Sequence, residues 1–140
     1  MNDPQTRTIL GVDPGSRRFG IAIADLETRF ARPLETVDTQ QEDPIRRVTE
    51  LAREHSAAEV VVGKPISLSG HSGPAANAYK DFVAGLEVAG LKVTEYDERL
   101  TTVIAEQGLR SGGAKRGARK EIRDAVAAQV LLQSFLDVDR

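Results

Sequence analysis

This 140-residue sequence predicts an α/β fold: a mixed five-stranded sheet with helices on both faces. Three observations carry that expectation. Three segments rich in Ile, Val and Leu come first and are joined by short turns, the pattern of an antiparallel meander. Helix-like and strand-like segments then alternate, as parallel strands with crossover helices require. Two helices close the chain, leaving enough apolar helix surface to cover the second face of the sheet.

Each element has its own signal. Residues 8–13 and 19–24 read as paired strands around "DPGSRR", and "ARPLETV" (31–37) is a third strand whose Pro33 suits an edge position. "DPIRRVTELAREH" opens a helix with Asp43 as N-cap and Pro44 at its first position, and Ile45, Val48, Leu51 and Ala52 keep helical spacing. "EVVVG" (59–63) is short and apolar enough to be buried on both faces. A helix from near Pro74 buries Ala75, Ala78, Phe82, Val83 and Leu86 and stops at Gly90. "LKVTEY" (91–96) is the fifth strand, and Thr101 or Thr102 caps a short helix running to about Arg110. "SGGAKRGA" (111–118) is small, basic and flexible, suited to a lid. The last helix spans roughly 119–136, with Gln129, Gln133 and Ser134 interrupting its apolar surface.

The length fits one domain, residues 1–140. With no cysteine there is no disulfide and no thiolate ligand or nucleophile. No apolar run reaches the ~18 residues of a membrane span, and "MNDPQTRTIL" carries no signal-peptide core, so a cytoplasmic setting is expected. The net charge of −2 conceals an asymmetry. Arg110, Lys115, Arg116, Arg119, Lys120 and Arg123 face only Glu121 within residues 110–123, a local +5 that leaves −7 elsewhere. A solvated helix entry explains such a segment as well as phosphate attraction does.

Three carboxylates stand in special places. Asp13 ends the first strand, Glu98 lies just past the fifth, and Asp124 falls in the opening turns of the last helix. The Asp124 stripe continues through Ala128, Leu131 and Phe135, which must face the sheet, so Asp124 points inward, where a lone charge is costly. A divalent cation would compensate three converging acids. Hard oxygen donors without Cys suit Mg²⁺ or Mn²⁺, and paired ions of that kind hydrolyse phosphodiesters. Asp13, Glu98 and Asp124 are therefore both the candidate catalytic residues and the candidate metal ligands, with Glu121 as a weaker fourth. Gly15 and Gly20 would let a phosphate come close. Each acid also has a plain reading: a turn for Asp13, a helix cap for Glu98, a favourable helix dipole for Asp124.

"GVDPGSRRFGIAIAD", "VVGKPISLSG", "DERLTT" and "DAVAAQVLLQSFL" resemble, in that order, the motifs of the YqgF-type pre-16S rRNA nucleases, compact relatives of the RuvC Holliday-junction resolvase. The resemblance covers residues 8–136. It implies a ribonuclease-H-like fold, a metal-dependent site at Asp13, Glu98 and Asp124, and trimming of the 5′ end of the 16S rRNA precursor in ribosome biogenesis, with junction cleavage as the alternative activity. Lys64 departs from the family's more apolar choice, and Gly63 ends its strand without an acid, which leaves the second ligand to Glu98.

Around these acids, Arg18 and Arg99 can clamp phosphate or orient a carboxylate, and an ordinary internal salt bridge explains either equally well. Thr101 and Thr102 can bond phosphate oxygens or cap a helix, and Lys64, Lys115 and Arg116 add positive charge for substrate. Asp25, Asp97, His55 and His71 fit turns, caps and loops. With four Phe and two Tyr the chain has no long stacking platform, so nucleic acid would be held through its backbone, by a monomer or a homodimer. Two rivals remain: an actin-like phosphotransferase, which generally pairs two such domains, and a non-catalytic RNA-binding assembly factor.

Overall fold

The computed structural model describes residues 7–65, 73–97 and 116–138, and of residues 116–123 the backbone only. In chain order the elements are β1 (Thr8–Asp13), β2 (Arg18–Asp25), β3 (Phe30–Asp38), α1 (Pro44–Glu54), β4 (Ala57–Lys64), α2 (Pro74–Val88), β5 (Lys92–Asp97) and α3 (Arg116–Val138). The sheet order is β3-β2-β1-β4-β5. β1–β2 and β2–β3 are antiparallel, whereas β1–β4 and β4–β5 are parallel. This is the expected mixed sheet, and β3 with its Pro33 is an edge strand.

Strand alternation sorts the core into two layers. Leu10, Val12, Phe19, Ile21, Ile23, Val60 and Val62 face α1 and α2. Ile9, Ala22, Ala24 and Val61 face Ala128, Leu131, Leu132 and Leu136 of α3. Val60, Val61 and Val62 are all fully buried, so β4 is covered on both sides as its composition requires. Asp43 caps α1 by accepting from the Ile45 N–H at 3.0 Å. α2 stops through Gly90, whose φ of 98° lies in the left-handed region.

Three expectations change. The face that α2 buries is Ala76, Tyr79, Phe82 and Leu86, so Ala75 and Ala78 lie outside. Tyr79 turns inward because its hydroxyl reaches Glu95 Oε1 at 2.8 Å, which satisfies the polar tip of a large apolar ring. α3 begins at Arg116, so residues 116–118 are helical rather than part of a flexible segment. Asp124 consequently sits about two turns inside the helix, beyond the reach of the N-terminal dipole. The short helix after Thr101 and Thr102 and the lid over 111–115 fall outside the described residues.

α3 also closes the β3 edge. Gln133 accepts from the Ala31 N–H at 2.8 Å and donates to the Arg29 carbonyl at 2.9 Å, while Gln129 donates to the Ala31 carbonyl at 3.2 Å. Arg29 returns a bond to the Leu136 carbonyl. Two of the three interruptions in the apolar surface of α3, Gln129 and Gln133, are thus partners for backbone groups that an edge strand leaves exposed.

Candidate active site

β1, β4 and β5 run parallel, so their carboxyl ends share one edge of the sheet. Asp13 ends β1, Gly63 and Lys64 end β4, and Asp97 ends β5 opposite Lys64. Such edges gather chemistry in open α/β sheets because the strands deliver side chains there without closing it off. Asp13 is half-buried, and its parity with Ile9 and Gly11 puts it on the α3 side of the sheet.

α3 reaches this edge because two glycines let it come down onto the sheet. A Cβ on Gly11 would stand 2.8 Å from the Leu132 Cβ. A Cβ on Gly20 would overlap the Asp124 carbonyl outright. Gly20 is the register partner of Asp13. The α3 backbone at Asp124 therefore rests on the residue beside Asp13, which brings two segments from opposite ends of the chain to the same strand end.

Gly20 serves packing, its open side being filled by α3 rather than left to a phosphate. Gly20 seats α3, and Gly15 makes the tight turn in which a Cβ would strike the Arg18 carbonyl. On its other side, beyond the pair of Val12 with Val62, Asp13 is flanked by Gly63, which pairs Tyr96.

Arg18 stands two residues before Gly20 and so on the same face of β2. Its Nε donates to Asp124 Oδ2 at 2.8 Å, with the two side chains 31% and 26% exposed. This contact has the form of both a carboxylate-orienting bond and an ordinary internal salt bridge. Arg17 points to the other side of the turn and pairs with Asp38 at 3.3 Å. The Gln40 N–H and the Arg17 guanidinium hold the Asp38 carboxyl below the usual carboxylate range. Lys64 is exposed at the same edge. Tyr96 braces the end of β5 against α3, with its hydroxyl 2.8 Å from Ser134 Oγ and its ring edge-on to Phe135.

Of the predicted site residues, the fold pairs Arg18 with Asp124, seats the Asp124 backbone on the register partner of Asp13, and sets Lys64 on the neighbouring strand end. Glu98, Arg99, Thr101, Thr102 and Lys115 lie outside the described residues, as do the side chains of Arg116 and Glu121. Among the described residues no three His, Cys, Asp or Glu gather into a ready metal cluster. Asp124 already holds a cationic guanidinium, and Asp13 ends the strand beside the glycine on which the Asp124 backbone rests; hard carboxylate oxygens of this kind suit a divalent ion completed by further ligands. Asp25 serves a turn, accepting from the Glu27 N–H at 2.7 Å, and His55 ends α1. Sequence reasoning missed Gly11, Gln129 and Gln133, and gave Gly20 a different task. Their signal was the thin strip Gly20-Ala22-Ala24 alternating with Phe19-Ile21-Ile23, which marks a face prepared for a close helix.

No described helix is long and apolar enough to cross a membrane. The Thermus thermophilus RuvC structure in complex with a Holliday junction substrate matches at a TM-score of 0.55, with 21% identity and 94% of each chain covered. That likeness establishes the ribonuclease-H-like fold. In sequence, the chain is 45% identical to a Chloroflexus aggregans protein named "Putative pre-16S rRNA nuclease", with 96% of each chain covered. It is 43% identical to a Thermobifida fusca protein of the same name, covering 97% of this chain and 91% of that one. The model of the family described as "RuvX: Holliday junction resolvase" matches residues 7–138, and with these relatives it makes the chain a member of the RuvX family.

Proposed function

We propose that this protein is a metal-dependent nuclease that hydrolyses phosphodiester bonds in structured RNA, processing the 5′ end of pre-16S rRNA in the cytoplasm during ribosome biogenesis. One observation carries the reading: α3 lodges on Gly20 and so delivers Asp124 beside Asp13 at the carboxyl end of β1. Two acids from remote positions thus reach one edge of the sheet, one of them held there by Arg18. The names of the relatives supply the substrate.

Asp13 and Asp124, completed by Glu98, would hold Mg²⁺ or Mn²⁺. When bound, such ions activate a water and stabilise the leaving oxygen. The chain's own residues do the rest. β1 fixes Asp13, α3 fixes Asp124, and Lys64 draws the substrate backbone to the edge. Arg99, Thr101, Thr102, Lys115 and Arg116 are proposed as further substrate contacts. With few aromatic rings available, recognition rests on backbone charge and RNA shape.

The decisive assay uses an end-labelled, 5′-extended 16S precursor and a four-way DNA junction, with Mg²⁺, Mn²⁺ or EDTA. The precursor should be cut only with metal, and Asp13→Asn and Asp124→Asn should each lower the rate by at least about 10³-fold while melting as cooperatively as wild type. Cutting of the junction instead would establish resolution, the reading that the family description favours, and that reading requires a dimer to make two cuts. Tight RNA binding without cutting, equal in both variants, would leave a non-catalytic assembly factor.

A further inference from the structure

Arg18 does something that a phosphate clamp does not require: it is already committed to Asp124. The contact is short and charge-assisted, and it engages one carboxylate oxygen, Oδ2. β2 carries Arg18 and Gly20 on the same face, so the guanidinium on Asp124 stands on the face that Asp13, the register partner of Gly20, also presents. A divalent cation drawn to these two acids would approach a fixed positive charge. Close like charges repel, so Arg18 and the cation compete for Asp124. Arg18 is also about a third exposed, which leaves it within reach of a phosphate outside.

We propose that Arg18 is a switching counter-charge. It holds Asp124 while the site lacks a cation, and it passes to a substrate phosphate when a cation takes Asp124. The inference rests on the metal-dependent nuclease reading above and adds a coupling to it. Loading the cation frees the guanidinium, so cation and RNA each strengthen the other's binding, as linkage demands. Arg18 is thereby a positioning residue for Asp124 in the empty site and a phosphate ligand in the loaded one.

Two binding measurements test this without reading turnover. In the first, free Mn²⁺ is followed by electron paramagnetic resonance during titration of wild type, Arg18→Gln, Arg18→Lys and Asp13→Asn. Arg18→Gln should bind Mn²⁺ about tenfold more tightly than wild type, because the repelling charge is gone. Arg18→Lys, which keeps the charge, should stay near wild type, and Asp13→Asn should lose binding. In the second, a short RNA stem, checked intact on a gel, is titrated by anisotropy in EDTA and in Ca²⁺. Arg18→Gln should weaken RNA binding more in Ca²⁺ than in EDTA, since only the loaded site releases Arg18.

Thermal melts in EDTA and in Mn²⁺ guard against a folding defect: Arg18→Gln should melt lower than wild type in EDTA and gain more from Mn²⁺. Mn²⁺ binding that depends on Asp13 but is unchanged or weaker in Arg18→Gln would overturn the switch and leave the nuclease reading standing. An equal RNA penalty in EDTA and Ca²⁺ would overturn it too. Absence of Mn²⁺ binding from every protein would remove the metal-dependent reading itself, and the switch with it.

Discussion

Gly20 shows how one residue can link packing to chemistry. A reading that gives this glycine to an incoming phosphate treats the site as a loop that must stay open. The structure uses it to close a helix onto a strand, with the Asp124 carbonyl occupying the place of a side chain. Gly20→Ala is therefore a test of site assembly as much as of stability. The new methyl must push α3 away, an overpacking cost of about 3 kcal/mol or more because the obstacle is backbone. It would also separate Asp124 from both Arg18 and Asp13. Denaturant melts should record the lost stability, and Mn²⁺ binding should fall even below the melting transition. A Gly20→Ala protein that kept wild-type stability would refute the close seating of α3. The neighbouring Gly15 works inside its own turn, so its substitution should strain the β1–β2 connection instead.

At the scale of elements, α3 has two jobs. Its first half carries Asp124 to the active edge, and its second half seals the β3 edge with Gln129, Gln133 and the Leu136 carbonyl. Both jobs need one rigid helix, so the seal helps to set the position of the acid. Gln133→Leu keeps the size and removes both backbone partners, which should cost about 1–2 kcal/mol in a part-exposed position. It also exposes a strand edge, so sedimentation should show more self-association at high concentration than for wild type. A Gln133→Leu protein with the stability and association state of wild type would show that the edge needs no seal. The strands, α1 and the existence of α3 were legible because periodicity, the Asp43-Pro44 start and the Ile/Val runs are local signals. The inward turn of Tyr79 was not, since it depends on Glu95 from another element. The start of α3 was likewise hidden: Gly117 and the run of basic residues favour a loop reading, yet the helix extends through them.

Across the whole molecule, Asp13 and Asp124 could be selected from sequence because a buried strand end and an inward helix stripe are each recognisable alone. Their meeting point was not readable, because it is a register fact: Asp13 opposite Gly20, and Gly20 under α3. The same holds for charge. A total of −2 argues against a polyanion partner, yet the fold sets Lys64 on the edge that carries Asp13. Substrate binding should then be governed by that edge and not by net charge. Affinity for RNA should fall steeply with salt, since each neutralised phosphate releases counterions. Lys64 is exposed at the end of β4 and can be changed without disturbing the core. Lys64→Gln should lower the salt slope by about one and weaken binding similarly for all RNA sequences, with melting unchanged. Anisotropy titrations between low and moderate salt provide the measurement. A slope equal to wild type would take Lys64 off the substrate path and direct the strand to the far side of Asp13, toward Arg17 and the β2–β3 end of the sheet.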